Sequence, residues 1–216
     1  MDCPFTKGLI LLDTTIYIVR HGQTEWNLEG RLQGRLDSPL TDAGVEQAQQ
    51  LAKRLQNITF DSIYSSSSNR AFSTALHLSK DREMEVIKSD NLMEMDFASW
   101  EGRKWSEIQD LYPKELHLMN EHPEHFEAKE TKGETFHDMQ RRLASFIDKI
   151  LKQHAGQNIL LVSHSITIKV LINYLRGGNL KYLWDGPDIH WASLYQVCFT
   201  EDKTKIFFEG EEISPL

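Results

Sequence analysis

Thr15-Ile16-Tyr17-Ile18-Val19 is β-branched or aromatic throughout and stops at once on Arg20-His21-Gly22. Such a run fits a central strand covered on both faces, and strands of that kind present functional side chains at their carboxyl ends. Arg20 and His21 are therefore expected at one rim of a sheet. Gly22 is expected to let the backbone approach a ligand closely, and Thr24 and Asn27 add short polar groups able to donate hydrogen bonds to oxygen atoms. A cation, an imidazole and small donors gathered at one strand end suit an anion.

The same pattern recurs along the chain. Phe60 to Ser65 reads as a short buried strand ending in Ser65 to Asn69, followed by Arg70 near the start of a helix through Ala71, Thr74, Ala75 and Leu78. The positive end of that helix dipole also favours an anion, and the serines read as turn and N-cap formers. Asn158 to Val162 is another strand, ending in Ser163-His164-Ser165, and Glu85 to Lys88 suggests one more. Between them lie helices. One is capped by Thr41, with Val45, Ala48, Leu51, Ala52 and Leu55 at helical spacing. Another begins after Thr135 and carries Phe136, Met139, Leu143, Phe146, Ile147, Ile150 and Leu151; a third runs from Ile166 to Leu175 and closes at Gly177-Gly178. The tail alternates from Trp191 to Phe199 and resumes near Lys205 to Glu209, an antiparallel hairpin edge. This alternation predicts an α/β three-layer sandwich, a mostly parallel sheet with helices on both faces, in one domain over residues 1–216. Residues 1–13 read as an N-terminal extension without a role. Residues 103–133 read as a capping insertion, whose Trp105, Tyr112, Leu116, Met119 and Phe126 either roof the site or pack helices together.

Composition narrows the partners. A chain of 216 residues with 40% hydrophobic content can bury a sizeable core, while a formal charge of -8 argues against nucleic acid or an anionic membrane as the main partner. No stretch approaches the ~20 apolar residues of a membrane span. Cys3 and Cys198 stand at opposite ends of the chain and read as reduced thiols, which points to the cytoplasm. His122-Pro123-Glu124-His125 is proline-broken and lacks a third ligand in register, so its histidines read as solvated. No metal and no cofactor is expected. A small phosphorylated substrate is the expected partner, with a homodimer as the candidate assembly.

Arg20-His21-Gly22-Gln23-Thr24-Glu25-Trp26-Asn27 resembles the signature of the histidine phosphatase superfamily, the phosphoglycerate-mutase-like enzymes. Arg70, the block Leu92 to Gly102 and Ser163-His164 match the same family, so the resemblance spans residues 15 to about 200. It implies that His21 takes the phosphoryl group covalently, that Arg20, Arg70 and His164 hold the phosphate, and that Glu94 protonates the leaving oxygen and then activates water. Asp96 and Glu101 are the carboxyls that could in principle replace Glu94. Gln33 and Gly34, on the loop after the signature, together with Thr24, Asn27 and Ser165, complete the implied phosphate- and substrate-binding set. The chain departs from the family pattern at Ala98 and Ser165, where glycine is usual. Mutase relatives carry Glu-Arg-His-Tyr at the acid, whereas this chain has Glu94-Met95-Asp96-Phe97, which favours hydrolysis over transfer. The expected activity is thus that of the broad-specificity branch, hydrolysis of small phosphomonoesters. An α-ribazole phosphatase of cobalamin synthesis and a cofactor-dependent phosphoglycerate mutase are the alternatives.

Overall fold

Successive side chains of β1 (Thr14–Arg20) leave on opposite faces, and both faces are buried. Ile16 and Ile18 point into one apolar cluster with α6 (Phe136–Gln153) and α7 (Ser165–Leu175), while Tyr17 and Val19 point into a second with α2 (Asp42–Arg54) and α3 (Asn69–Ser79). The computed structural model describes residues 13–201 and 203–213, so all of the expected extension except Asp13 lies outside the described residues.

The remaining strands are β2 (Ser62–Ser66), β3 (Val86–Ser89), β4 (Asn158–Ser163), β5 (Leu194–Phe199), β6 (Thr204–Phe208) and β7 (Glu211–Glu212), in spatial order β3-β2-β4-β1-β5-β6-β7. The four strands from β3 to β1 are parallel, and β5, β6 and β7 extend them in antiparallel fashion. The hairpin edge expected at the tail is therefore a three-stranded ribbon. The register places Arg20 beside Ser163, so that His21 and His164 leave neighbouring parallel strands at the same level. This pairing converts two distant sequence motifs into one rim.

The helices form where the apolar period demanded them. In α6 the residues Phe136, Met139, Leu143, Phe146, Ile147 and Ile150 are all buried at three- and four-residue spacing, and Thr135 caps the helix by accepting from the Asp138 N–H. Thr41 caps α2 through the Gly44 N–H. The insertion contains α4 (Trp105–Leu111) and α5 (Pro113–Glu121), and its proline at the first position of α5 lies where no helical N–H is needed. Met119 and Phe126 are buried in the cluster under α6, with Tyr112 and Leu116 packed against it. Only Trp105 of the five expected roof residues reaches the cleft described below.

One glycine expectation changes. A side chain at Gly22 would collide with the Gly44 carbonyl, so the close approach this glycine permits is to the first turn of α2, not to a ligand. Ala98 replaces the usual glycine and adopts φ +42°, a left-handed conformation that strains an alanine. Ser165, the other replacement, sits in ordinary helical backbone as the first residue of α7, one residue earlier than the helix expected from Ile166.

Candidate active site

β1, the first turn of α3, the start of α7 and the 92–95 segment deliver polar groups to one cleft of about 210 Å³, while His164, fully buried beside His21, lies outside its lining. The cleft is lined by Arg20, His21, Asn27, Gln33, Gly34, Arg70, Glu94 and Ser165, with Leu32, Phe97, Trp105 and Ile166 forming an apolar wall and Arg31 at its side. A larger hollow of about 560 Å³ between the far ends of α2 and α3 contains none of the expected site residues. Its Arg82 is committed to the carbonyls of Leu55, Ile58 and Leu78, a helix-end contact rather than an anion clamp.

His21 is 3% exposed, and its Nδ1 lies 2.7 Å from the Gly22 carbonyl oxygen. A carbonyl only accepts, so Nδ1 carries the proton and Nε2 keeps its lone pair. Burial, then Arg70 and Arg20, push the imidazole well below its ordinary range, although the Gly22 hydrogen bond opposes them. Neutral imidazole is the nucleophilic form. His164, whose ring centroid is 5.1 Å from that of His21, is pushed down by burial and by the same arginines and His21. Its Nε2 lies 2.8 Å from Ser66 Oγ and 3.3 Å from Ser68 Oγ. A hydroxyl donating to Nε2 leaves the proton on Nδ1, which is buried and has no protein partner. The serines expected as turn and cap formers thus hold an imidazole: Ser68 occupies the N-cap position of α3 without a side-chain capping bond.

Two guanidiniums flank the imidazoles. Arg20 donates to the Ile189 carbonyl at 2.6 Å and stacks 5.7 Å from the centre of the Trp191 ring; burial lowers it to about 10, against the pull of Glu94. Arg70 is 1% exposed and donates to the carbonyls of Gly34 and Leu36, each at 2.8 Å, and to Asp37 Oδ1 at 2.9 Å. Each arginine keeps a buried Nε without a protein partner. Buried donors without acceptors cost about 1–3 kcal/mol each, a cost that an oxyanion in the cleft would relieve.

The loop that holds Arg70 is itself fastened. Glu101 accepts from the backbone N–H groups of Arg35 and Leu36 at 2.8 Å, and a Cβ at Gly34 would collide with its carboxylate. Glu101 is thus a loop staple outside the cleft lining, and Asp96 is occupied with the Ala98 N–H at 2.9 Å. Neither alternative acid reaches the cleft; Glu94 does. Asp96 consequently provides no charge in the cleft to repel an anionic substrate.

Of the polar groups implied for the ligand, Asn27 lines the cleft. Its Oδ1 accepts from the Thr24 N–H and from Trp191 Nε1, both at 3.1 Å, which leaves its amide hydrogens to donate. Gln33 lies in the same lining, its Oε1 accepting from Ser38 Oγ at 3.2 Å. Thr24 does not: fully buried, its hydroxyl accepts from the Asn27 N–H and caps the short helix α1 (Glu25–Leu28). His122 and His125 are exposed and stand 3.9 and 3.7 Å from Glu124, and among the described residues no three His, Cys, Asp or Glu side chains cluster as metal ligands. Sequence reading missed Ser66, Ser68, Asp37, Trp191 and Thr167, whose roles depend on partners far along the chain; the serine run itself was the one local signal.

Burial of two neutral imidazoles makes stability depend on pH. Below the ordinary histidine value of 6.5 the unfolded chain takes up protons that folded His21 and His164 refuse, so stability is present above that value and is lost as pH falls beneath it. Each histidine contributes a limiting slope of about 1.4 kcal/mol per pH unit. Urea midpoints measured from pH 7.5 to 5.5 should fall on acidification, and less steeply in His164→Ala. A flat or rising midpoint would contradict the neutral pair.

Comparison with known proteins agrees with this geometry. The family model of the histidine phosphatase superfamily (branch 1) matches residues 16–209. Phosphoserine phosphatase 1 of Hydrogenobacter thermophilus is 34% identical over 90% of each chain. The adenosylcobalamin/alpha-ribazole phosphatase of Escherichia coli is 33% identical over 78% of this chain and 82% of its own. The solved structure of Bacillus stearothermophilus YhfR superposes with a TM-score of 0.87 at 32% identity, covering 92% of this chain and 97% of that one. With the signature histidine, both arginines and the second histidine gathered on one rim of a seven-stranded sheet, the chain belongs to the histidine phosphatase superfamily, branch 1.

Proposed function

We propose that this protein hydrolyses phosphomonoesters of small metabolites through a phosphohistidine on His21. The observation that carries the reading is the neutral, Nδ1-anchored His21, with Nε2 free, between buried Arg70 and half-buried Arg20. Arg20, Arg70 and His164 would hold the three terminal phosphate oxygens and stabilise charge on the transferring group. His21 Nε2 forms a bond to phosphorus as the ester P–O bond breaks, and the leaving oxygen takes its proton from Glu94. Glu94, now ionised, takes a proton from water; the hydroxide oxygen bonds phosphorus and the P–N pair returns to the imidazole. Phosphate and a neutral enzyme result.

Substrate size follows from the cleft. About 210 Å³ must hold both the phosphate and the leaving group, against an apolar wall and Arg31, a further cation of the lining whose guanidinium also bonds Glu29 and the Gly102 carbonyl. This favours a compact leaving group bearing a carboxylate, such as serine or glycerate, over the nucleoside-like leaving group of α-ribazole phosphate. No basic side chain follows Glu94, since buried Met95 and Phe97 stand there, which favours hydrolysis over mutase transfer. Cytoplasmic residence, suggested by two widely separated cysteines, is part of the same proposal. No helix among the described residues is long and apolar enough to cross a membrane.

The test is a comparison of kcat/KM for O-phosphoserine, 3-phosphoglycerate and α-ribazole phosphate, with product analysis for phosphate release against isomerisation. The expected order places the compact substrates at least about 10-fold ahead, a discrimination of the size one misfit group produces. A preference for α-ribazole phosphate would move the assignment to that reading, and isomerisation faster than phosphate release would restore the mutase.

A further inference from the structure

Glu94 has to be a proton donor in one half-reaction and a proton acceptor in the next, and its surroundings contain a group suited to both. Its Oε1 accepts the backbone N–H groups of Thr167 at 3.0 Å and Met95 at 3.1 Å, and Thr167 Oγ1 also lies 3.0 Å away. Its Oε2 accepts only the Ile166 N–H, at 3.2 Å. Oε2 is therefore the oxygen left to carry the exchangeable proton. Thr167 is 1% exposed and has one hydroxyl proton with two acceptors in reach, Glu94 Oε1 and the Met93 carbonyl at 2.9 Å.

We propose that Thr167 is a positioning residue for the reaction, its hydroxyl proton alternating between the Met93 carbonyl when Glu94 is protonated and Glu94 Oε1 when Glu94 is ionised. The inference rests on the reading of Glu94 as the acid and base. The swing is inexpensive because the Met93 carbonyl also accepts from Arg142 Nη2 at 2.9 Å, so it keeps a donor when the hydroxyl leaves. The two backbone donors on Oε1 keep the carboxyl in place throughout, and the hydroxyl adds an optional bond that appears with the negative charge. A hydroxyl locked onto a single acceptor would favour one half-reaction at the expense of the other.

The charged and titratable groups around Glu94 are Arg20 at the end of β1 and His21 just after it, Arg31 and Arg35 from the loop after α1, Arg70 from α3, His164 after β4, Arg142 from α6, and Glu134, just before α6, which pairs with Arg142 and Arg35. None of these is altered by substitution at Thr167. Thr167→Val keeps the shape and removes the donor that favours the ionised carboxyl. The pH profile of kcat/KM on an alkyl phosphate should therefore have its basic limb displaced upward by about one pH unit, and Thr167→Ser should return it. Thermal unfolding checks the fold, and Thr167→Ala serves if the valine variant does not fold. A uniform fall in rate with the limb unmoved, or a displacement that serine does not reverse, would overturn the role given to Thr167. Glu94→Gln retaining near wild-type turnover of the same alkyl phosphate would instead overturn the role given to Glu94, so the two failures are distinguishable.

Discussion

His21→Ala should lose turnover by a factor on the order of 10⁴ or more while still binding inorganic phosphate within about 10-fold of the parent protein. The split is the informative part. Among the described residues the variant removes the only nucleophilic nitrogen with a free lone pair at the rim, but it leaves Arg20, Arg70 and His164, whose contacts to Ile189, Gly34, Leu36, Asp37 and Ser66 do not pass through His21. Phosphate binding followed by calorimetry, beside hydrolysis of para-nitrophenyl phosphate, checks both halves. Lost binding together with lost turnover would mean that the variant had collapsed the site, and turnover close to that of the parent would remove His21 from the chemistry.

The second large effect is at Glu94. In Glu94→Gln the amide oxygen can take the place of Oε1, keeping the Met95 and Thr167 donors, while its NH₂ takes the place of Oε2 and gives up the single bond accepted there from the Ile166 N–H. The three bonds on Oε1 are preserved and the proton is lost. Alkyl phosphates, whose poor leaving groups need that proton in the transition state, should lose about 10²–10⁴-fold in kcat/KM. Para-nitrophenyl phosphate should lose less in this step, because its phenolate departs unprotonated. Hydrolysis of phosphohistidine still needs a base, so a rapid burst of nitrophenol followed by a slow steady state is expected on rapid mixing. Equal losses on both substrate types without a burst would reject Glu94 as donor. Asp96 and Glu101 are poor substitutes, since each is bound to backbone N–H groups outside the cleft lining.

Much of the scaffold could be read from spacing alone. The stripe of α6, the caps at Thr41 and Thr135, and the apolar runs of β1 and β4 depend on neighbours within a few residues, and such local rules carry from sequence to structure. Most of the catalytic rim was legible for a related reason: Arg20, His21 and His164 end or follow strands and Arg70 opens a helix, whereas Glu94 stands in irregular chain after β3 and was legible through the resemblance. Supporting contacts were not. Glu101 reaches the loop at Arg35 and Leu36, Asp37 reaches Arg70, Trp191 reaches Asn27, and Ser66 reaches His164, all across sequence separations that only the folded sheet closes. The same limit explains the misplacements. Thr24 is a donor in the sequence and a helix cap in the fold, and Gly22 is required by Gly44 of a different element. Tyr112, Leu116, Met119 and Phe126 alternate too irregularly to show which side they face, and they face the core.

The central claim is a covalent phosphoryl group on His21, and trapping it is the most direct measurement. Glu94→Gln is mixed with para-nitrophenyl phosphate, quenched in alkali, where a phosphoramidate survives, and digested for peptide mass spectrometry. The account predicts one phosphoryl group per chain on the peptide containing Arg20-His21-Gly22, acid-labile and absent from the His21→Ala, Glu94→Gln double variant. A phosphoryl group on a serine of the 65–68 run or on His164, or phosphate release with no enzyme-bound phosphoryl group at any time, would contradict it.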